Sequence, residues 1–273
     1  MLKKPNRLVI TGVFLCILWA LIGCQTVPVS GRRQLNYVPG SLVRSMSFQN
    51  YTDFLKENKL STDVEKTAMV KRVGSRIQRA VEDYFLMEGG SDTLDGYEWD
   101  FNLVEDDAVN AWAMPGGKVV VYTGLLKVAK DETDLAVVLG HEVAHAVAKH
   151  GSERMSQQLA FAFGAVALDT AMKDQPEKTR EIFLKSYGVG GQVGVLLSYS
   201  RLHESEADQL GLIFMSLANY NPERAVNFWQ AMAEQSKGGA PPELLSTHPS
   251  HETRIRKIKE YLPNALIYYT GPM

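Results

Sequence analysis

The spacing of hydrophobic residues changes along the chain, and each spacing predicts a different element. Between residues 64 and 85 apolar residues recur at helical intervals behind a possible N-cap at Ser61 or Thr62, which predicts an amphipathic helix. Residues 97–104 alternate as in a half-buried strand, and Lys118–Tyr122 predict another strand beside a Pro-Gly-Gly turn. Helical and strand spacings together indicate an α+β fold.

A nearly continuous apolar stretch at residues 135–140 predicts a buried helix. Asp131 and Asp134 supply an N-cap and a first-turn acid, and Gly151 follows the last expected turn, so the helix should span roughly residues 131–149. Apolar residues occupy almost every side of this helix, which is typical of one enclosed by other elements.

Two further helices are expected, from about residue 192 to 217 and from about Glu252 to Tyr261. With the strands they predict a mainly α-helical α+β domain with a small sheet over residues 61–273, a length that suits one domain. Residues 24–60 lack strong periodicity at first and contain the helix breaker Pro39. We interpret them as a tether that becomes a packing segment.

Two histidines lie four residues apart inside the expected buried helix. A helix turns about 100° per residue, so His141 and His145 lie one turn apart on one face and can bind one zinc ion. Glu142 lies beside that face, where its carboxylate can take a proton from a water that zinc has made acidic. Burying these polar groups is costly without a partner, and a divalent cation provides one. The pattern predicts a metallopeptidase site rather than a solvated helix.

A catalytic zinc ion needs a third protein ligand, and two regions can supply it. His150 follows His141 by nine residues, one short of the metzincin spacing, and Ala148 stands where that motif has glycine. Glu204 lies on the second apolar helix, four residues before Asp208 and on the same face. One of these carboxylates could bind zinc while the other accepts the free N–H of a ligand histidine.

Four motifs in a fixed order carry a resemblance to a known family. The His-Glu-Val-Ala-His helix and the later Glu-Ser-Glu-Ala-Asp sequence are preceded by Asn110–Gly117 and followed by Thr247-His248-Pro249. Over about residues 31–260 this order resembles metallopeptidase family M48, the gluzincin group that includes HtpX and the CAAX prenyl endopeptidases. Within it, the chain looks similar to the periplasmic lipoprotein branch of BepA and LoiP.

The resemblance implies a zincin-like metallopeptidase domain with a small β-sheet beside the active-site helix. It also implies one zinc ion per chain, bound by His141, His145 and Glu204. By the same resemblance, Glu142 is the general base and Asp208 has a supporting role.

Residues outside the zinc motifs are candidates for substrate binding and control. An extended peptide can pair with an exposed sheet edge, so Asn110, Ala111 and Trp112 are candidate substrate-binding residues, with an ordinary core strand as the alternative. His248 follows a Gly- and Pro-rich loop, and its neutral imidazole could occupy the open zinc position, or else cap a helix or bind the substrate backbone. Arg254 could pair with a carboxylate or stabilise the oxyanion.

The amino terminus is typical of a secreted protein. Three basic residues precede an apolar run of 15 residues from Leu8 to Ile22, too short to span a bilayer comfortably, so residues 1–23 are interpreted as a signal peptide. Leu21–Cys24 resembles the lipobox of bacterial lipoproteins, which predicts lipidation of Cys24 and a lipid anchor in the membrane. Gln25, rather than aspartate, then points to the outer membrane.

Charge and cysteine usage fit the same expectation. Removing residues 1–23 takes away three positive charges and no negative one, so the formal charge goes from −2 to −5. A mildly acidic protein without a basic stripe is not expected to bind nucleic acid. Cys16 would be removed and Cys24 acylated, leaving no thiol for a disulfide or a metal.

These features predict a zinc-dependent endopeptidase of the bacterial periplasm, lipid-anchored at the outer membrane. Its expected substrates are misfolded or misassembled cell-envelope proteins, and outer-membrane assembly machinery is a candidate partner. Two alternatives are a zinc-binding chaperone with incidental proteolysis and an assembly factor whose zinc only joins two helices. Glu142 argues against both, because a structural zinc site needs no general base.

Overall fold

The structure is a computed structural model that describes residues 24–271 apart from residues 29, 174, 192–196, 236–241 and 249–251. The expected signal peptide, residues 1–23, lies outside the described residues. Five strands and nine α-helices occur within them: β1 (Cys24–Thr26), β2 (Arg33–Leu35), α1 (Gly40–Glu57), α2 (Val64–Met87), β3 (Asp100–Val104), β4 (Ala111–Met114), β5 (Lys118–Tyr122), α3 (Glu132–Val147), α4 (His150–Ala171), α5 (Glu177–Gly191), α6 (Leu197–Leu217), α7 (Arg224–Gln235), α8 (Glu243–Thr247) and α9 (Glu252–Leu266).

The fold is α+β and mainly helical, which confirms the expected class. Its three-stranded sheet has the order β3-β5-β4, with β5 parallel to β3 and antiparallel to β4. The central strand β5 begins and ends where the apolar pattern predicts, and its three valines are fully buried. Strand β4 is left at one edge of this sheet, beside the helix that carries the two histidines.

Helix α3 forms the centre of the core. Nearly all of its residues are buried, and it packs most extensively against α6, with α2, α7 and β4 around it. Its start is as predicted, because the Asp131 carboxylate accepts a hydrogen bond from the Asp134 N–H at 2.8 Å. Its expected end near residue 149 is two residues too late, and Gly151 does not follow its last turn as expected. The helix stops at Val147, the chain reverses at Lys149 with a φ of 60°, and Gly151 lies inside α4.

The contact between α3 and α6 is made at two glycines. A Cβ atom placed on Gly211 would lie 2.9 Å from the His141 backbone nitrogen and 3.0 Å from the Gly140 carbonyl carbon. Such a close approach of two helix backbones leaves no room for a side chain. The glycine pair therefore sets the separation of the two helices one residue away from His141.

Residues 24–60, expected to be a tether that becomes a packing segment, contain two strands and a helix. Strands β1 and β2 pair antiparallel, and α1 starts at Gly40, directly after Pro39. Proline restricts the residue before it and does not prevent a helix from starting after it, so the breaker ends one element and precedes the next. Tyr51 of α1 is buried against the sheet, where its hydroxyl donates to Asp100 at 3.0 Å. Among the described residues, none of the helices combines the length and apolar character that a membrane span requires.

Candidate active site

The two helices α3 and α6 bring three donor groups together. The Nε2 atoms of His141 and His145 lie 3.1 Å apart, as their spacing on one helical face predicts. Each Nε2 lies 3.3 Å from one carboxylate oxygen of Glu204 on α6. The structure thus places the two predicted histidines and one of the two predicted third ligands at a single point.

This arrangement fits a small divalent metal ion. For zinc bonds of about 2.0–2.1 Å in a tetrahedron, neighbouring donor atoms lie about 3.3 Å apart, close to the separations found between these three side chains. The Glu204 Oε2 atom is also buried and accepts no hydrogen bond from the described residues. Such an oxygen would be satisfied by a cation, so the donor set suits a metal.

Electrostatics at this point also favour a cation. Burial alone would raise the pKa of Glu204, but the imidazoles of His145, His141 and His248 outweigh it and hold that pKa well below its usual range. Burial and the Arg254 charge act to lower the pKa of His141, yet Asp208 and Glu204 raise it to about 9. The carboxylates therefore attract positive charge to the His141 Nε2 position.

Asp208 and Arg254 support His141 from behind. The Asp208 Oδ1 atom lies 3.0 Å from His141 Nδ1, the ring nitrogen that faces away from the cluster. The Arg254 guanidinium donates to both Asp208 oxygens, at 2.7 and 2.8 Å, and stacks on the Trp229 ring at 3.7 Å. Of the two roles considered for Arg254, pairing with a carboxylate is the one that this geometry fits, because the buried guanidinium is held behind His141.

His248 reaches the cluster from the end of α8. Its Nδ1 atom lies 2.8 Å from Glu204 Oε1 and 3.2 Å from His141 Nε2, and its Nε2 atom lies 3.5 Å from Glu142 Oε1. One ligand atom from each of His141, His145, Glu204 and His248 lies within 4.8 Å of the others. His248 therefore has the position of a fourth donor.

His150 does not join these donor atoms. Its Nδ1 atom lies 2.9 Å from His145 Nδ1, on the far side of that ring from the cluster. The reason is the chain reversal at Lys149, which starts a new helix at His150 and turns its side chain behind His145. Of the two candidates for the third ligand, Glu204 has the required position and His150 does not.

A cleft of about 350 Å³ opens onto the cluster. It is lined on one side by Asn110, Ala111, Trp112 and Ala113, and on the other by Glu142 and His145. The Trp112 indole, however, packs edge-on against Phe54, with ring centroids 5.0 Å apart, on the aromatic side of the sheet. Main-chain groups of β4 are therefore better placed than the indole to contact a ligand.

Sequence reasoning missed a second group of buried residues near the site. Glu153 and Glu206 are buried and both accept hydrogen bonds from Arg32, which lies between β1 and β2. His203 donates from Nε2 to a Glu153 oxygen at 2.9 Å. Glu206 lies inside the quoted Glu-Ser-Glu-Ala-Asp motif, two residues from Glu204, so helical spacing could have placed it on a different face.

A buried metal-binding cluster, with a further carboxylate beside it and an edge strand along its cleft, is typical of a metallopeptidase. The chain belongs to peptidase family M48, whose characteristic sequence matches residues 72–262. This confirms the family expected from the four motifs, and the chain is a metalloendopeptidase.

Named relatives of the chain come from eukaryotes and bacteria. It is 35% identical to Mitochondrial metalloendopeptidase OMA1 of Schizosaccharomyces pombe over 247 residues, covering 89% of this chain and 68% of that protein. Identity to Metalloendopeptidase OMA1, mitochondrial, of Homo sapiens is 29%, covering 89% of this chain and 46% of the human protein. Identity to Beta-barrel assembly-enhancing protease of Yersinia pestis is 32%, covering 57% of this chain and 32% of that protein. The chain spans less than half the length of the last two relatives.

The expected location in the bacterial periplasm is contradicted by these relatives. Those that match 89% of the chain are named as mitochondrial enzymes. A basic and apolar amino terminus does not decide the compartment, because transit peptides of organelles are also positively charged. The BepA and LoiP branch is not confirmed either. Lipidation of Cys24, the first residue of β1, stays a prediction.

Proposed function

We propose that the chain is a zinc-dependent endopeptidase that hydrolyses peptide bonds of unfolded or misassembled proteins. One observation carries this proposal. Donor atoms of His141, His145 and Glu204 converge at separations that suit tetrahedral zinc, and the carboxylate of Glu142 lies next to them without being one of them.

Each residue of the site then has a distinct task. Bound zinc would act as a Lewis acid that polarises the scissile carbonyl and lowers the pKa of a bound water to near neutral pH. Glu142 accepts the proton of the attacking water and transfers it to the leaving amine. Its Oε1 atom is buried and makes no hydrogen bond with the described residues, so this carboxylate is available as a base. Asp208 accepts the Nδ1 proton of His141 and so presents Nε2 to the metal.

The open edge of β4 would hold the substrate in an extended conformation. The Tyr122 N–H donates to the Asn110 carbonyl at 3.1 Å, which makes these two residues a hydrogen-bonded pair across the strands. Because pairs alternate along an antiparallel ladder, Ala111 and Ala113 direct their main-chain groups away from β5. The Ala111 N–H donates to the Asn110 side chain at 2.9 Å, which leaves Ala113 as the better docking residue. Main-chain pairing accepts many sequences and suits unfolded substrates.

His248 would restrain the enzyme at rest. The His248 imidazole lies 2.8 Å from Glu204 and 3.5 Å from Glu142, between the metal-binding cluster and the base, where the attacking water would be. The helix that carries it is attached beside the substrate strand, because the Leu244 N–H donates to the Val109 carbonyl at 3.1 Å. A substrate that binds along β4 would contact the segment held by this hydrogen bond. Substrate binding would therefore be coupled to the displacement of His248 from the cluster.

The substrate class rests on the relatives as well as on the edge strand. One of them is named Beta-barrel assembly-enhancing protease, which connects a protease of this family with the assembly of other proteins. The proposed substrates therefore include misassembled proteins as well as unfolded chains. The rival assignment, a closed structural zinc site in an assembly factor or chaperone, is favoured by the fourth donor His248.

Two substitutions separate these functions. Glu142→Gln should leave bound zinc unchanged, because Glu142 is not a ligand, and should lower casein hydrolysis by about 10²- to 10⁴-fold, because the base is lost. Glu204→Ala should instead lower the zinc content after dialysis against a mild chelator. Glu132→Gln, at the start of the same helix as Glu142, is the charge-matched control and should change neither quantity. Activity of Glu142→Gln within tenfold of the unmodified chain would refute the peptidase mechanism.

A further inference from the structure

A second buried polar cluster lies directly behind the metal-binding cluster. His150, His203, Glu153 and Glu206 are each at most 6% exposed. The rings of His150 and His203 stack with centroids 4.4 Å apart, and His150 Nε2 lies 3.1 Å from Glu206 Oε2. Arg32 joins the two carboxylates from the turn between β1 and β2. Burying so many polar groups costs free energy unless their hydrogen-bonding and charged atoms have partners.

The cluster touches the metal site at one atom pair, His150 Nδ1 and His145 Nδ1, which lie 2.9 Å apart. His145 directs its other nitrogen, Nε2, toward Glu204 and His141. A histidine that binds a metal through Nε2 keeps its proton on Nδ1 and donates it to a neighbour. His150 must then accept with Nδ1, carry its own proton on Nε2, and donate that proton to Glu206.

Glu206 is held in place by three neighbours. Its oxygens accept hydrogen bonds from Ser30 at 2.6 Å and from Arg32, and one of them lies 3.1 Å from His150 Nε2. Arg32 donates to the two oxygens of Glu206 at 2.8 and 3.0 Å and to the two oxygens of Glu153 at 2.8 and 2.7 Å. A carboxylate can only accept a hydrogen bond, so Glu206 selects the His150 tautomer that carries its proton on Nε2.

The arrangement has a counterpart at the other histidine. His141 donates from Nδ1 to Asp208, which Arg254 holds with two hydrogen bonds. Behind His145 a carboxylate and an arginine follow in the same order, but His150 lies between His145 and the carboxylate of Glu206. The arginine on this side, Arg32, belongs to the amino-terminal hairpin formed by β1 and β2, which lies outside the region 72–262 that matches the family.

We infer that His150 is a positioning residue for the metal ligand His145, and that Arg32 holds His150 through Glu206. The amino-terminal hairpin is then part of the support of the metal site, although it lies more than 100 residues before either histidine. The inference rests on the proposed function, because it takes His145 as a zinc ligand.

The test measures how fast zinc leaves the full chain when a chelator is added, and the visible spectrum of the cobalt(II)-substituted protein. His150→Phe keeps an aromatic ring and removes the acceptor, so zinc should leave about 10- to 100-fold faster and the cobalt spectrum should change. His150→Asn places an amide oxygen near the former Nδ1 position, so most of the retention should return. Arg32→Ala should change both readouts in the same direction as His150→Phe. Arg33→Ala removes an exposed arginine from the same hairpin and is the matched control.

Several outcomes would overturn the inference. A folded His150→Phe variant that loses zinc at the unmodified rate would show that His150 does not position His145. Equal effects of Arg32→Ala and Arg33→Ala would remove the hairpin from the support. If His150→Phe does not fold, Glu206→Gln decides, because it keeps the shape and should still speed zinc loss; no change there would overturn the inference. An unmodified chain that binds no zinc would refute the proposed function instead, before any variant is compared.

Discussion

Replacing Gly211 by alanine should separate the two helices that carry the metal-binding residues. The added Cβ would lie 2.9 Å from the His141 nitrogen, 3.0 Å from the Gly140 carbonyl carbon and 3.1 Å from the His141 Cα. Ordinary contacts are 3.4–4 Å, and all three atoms belong to backbone, which cannot rotate away. Helix α6 must therefore move outward by about half an ångström. Glu204 lies seven residues away on the same helix, about 10 Å along its axis, and should move with it.

Two effects of opposite sign determine the loss of stability. Overpacking of this kind costs about 1–3 kcal/mol, whereas alanine is more favourable than glycine inside a helix by about 1 kcal/mol. The net loss is therefore at most about 2 kcal/mol, which lowers Tm by up to about 8 °C for a domain of this size. Metal affinity should fall more clearly, because a movement of about half an ångström exceeds the roughly 0.2 Å tolerance of ligand distances.

The assay compares Gly211→Ala with a matched glycine. A Cβ on Gly188, inside α5, would meet no atom of the described residues within 4 Å, so Gly188→Ala should be neutral or stabilising. Tm is measured by calorimetry in excess chelator, which removes the stabilisation due to bound metal. Zinc affinity is measured separately by chelator competition. If Gly211→Ala and Gly188→Ala have the same Tm and the same zinc affinity, the close approach of α3 and α6 does not control the site.

Three further predictions test control, substrate docking and acid stability. His248→Ala should raise basal proteolysis of an unfolded substrate if His248 restrains the site, and a large loss of kcat/KM would exclude that role. Ala113→Pro should lower kcat/KM by about 2- to 12-fold, the value of one hydrogen bond, while Ala113→Ser, which keeps the N–H, should not; equal losses would exclude main-chain docking. Burial would raise the pKa values of Glu153 and Glu206, but hydrogen bonds, including those from Arg32, lower both to about 2. Because these folded-state values are depressed, the stability they provide is present above about pH 4.5 and is lost as the pH falls toward 2. In Arg32→Ala this part of the decline in Tm should disappear, and an unchanged Tm profile would contradict the assignment.

Local sequence determined the elements whose residues interact over short distances. The spacing of His141 and His145 placed them on one face because helical geometry is the same in every context. The cap at Asp131 and the apolar strand β5 were predicted for the same reason, since capping and alternation involve neighbours in the chain. The order of the motifs also identified the family, which its matching region confirms.

Only the tertiary structure decided how these elements meet. Glu204 and His150 both remained candidates for the third ligand, and the chain reversal at Lys149 turned His150 behind the site. Helical periodicity states which residues share a face, but it does not state which face meets which neighbour. That choice depends on contacts between distant residues, such as Gly140 with Gly211 and Arg32 with Glu206, and no local pattern encodes them. The chemistry could therefore be assigned from the sequence, whereas its support required the folded chain.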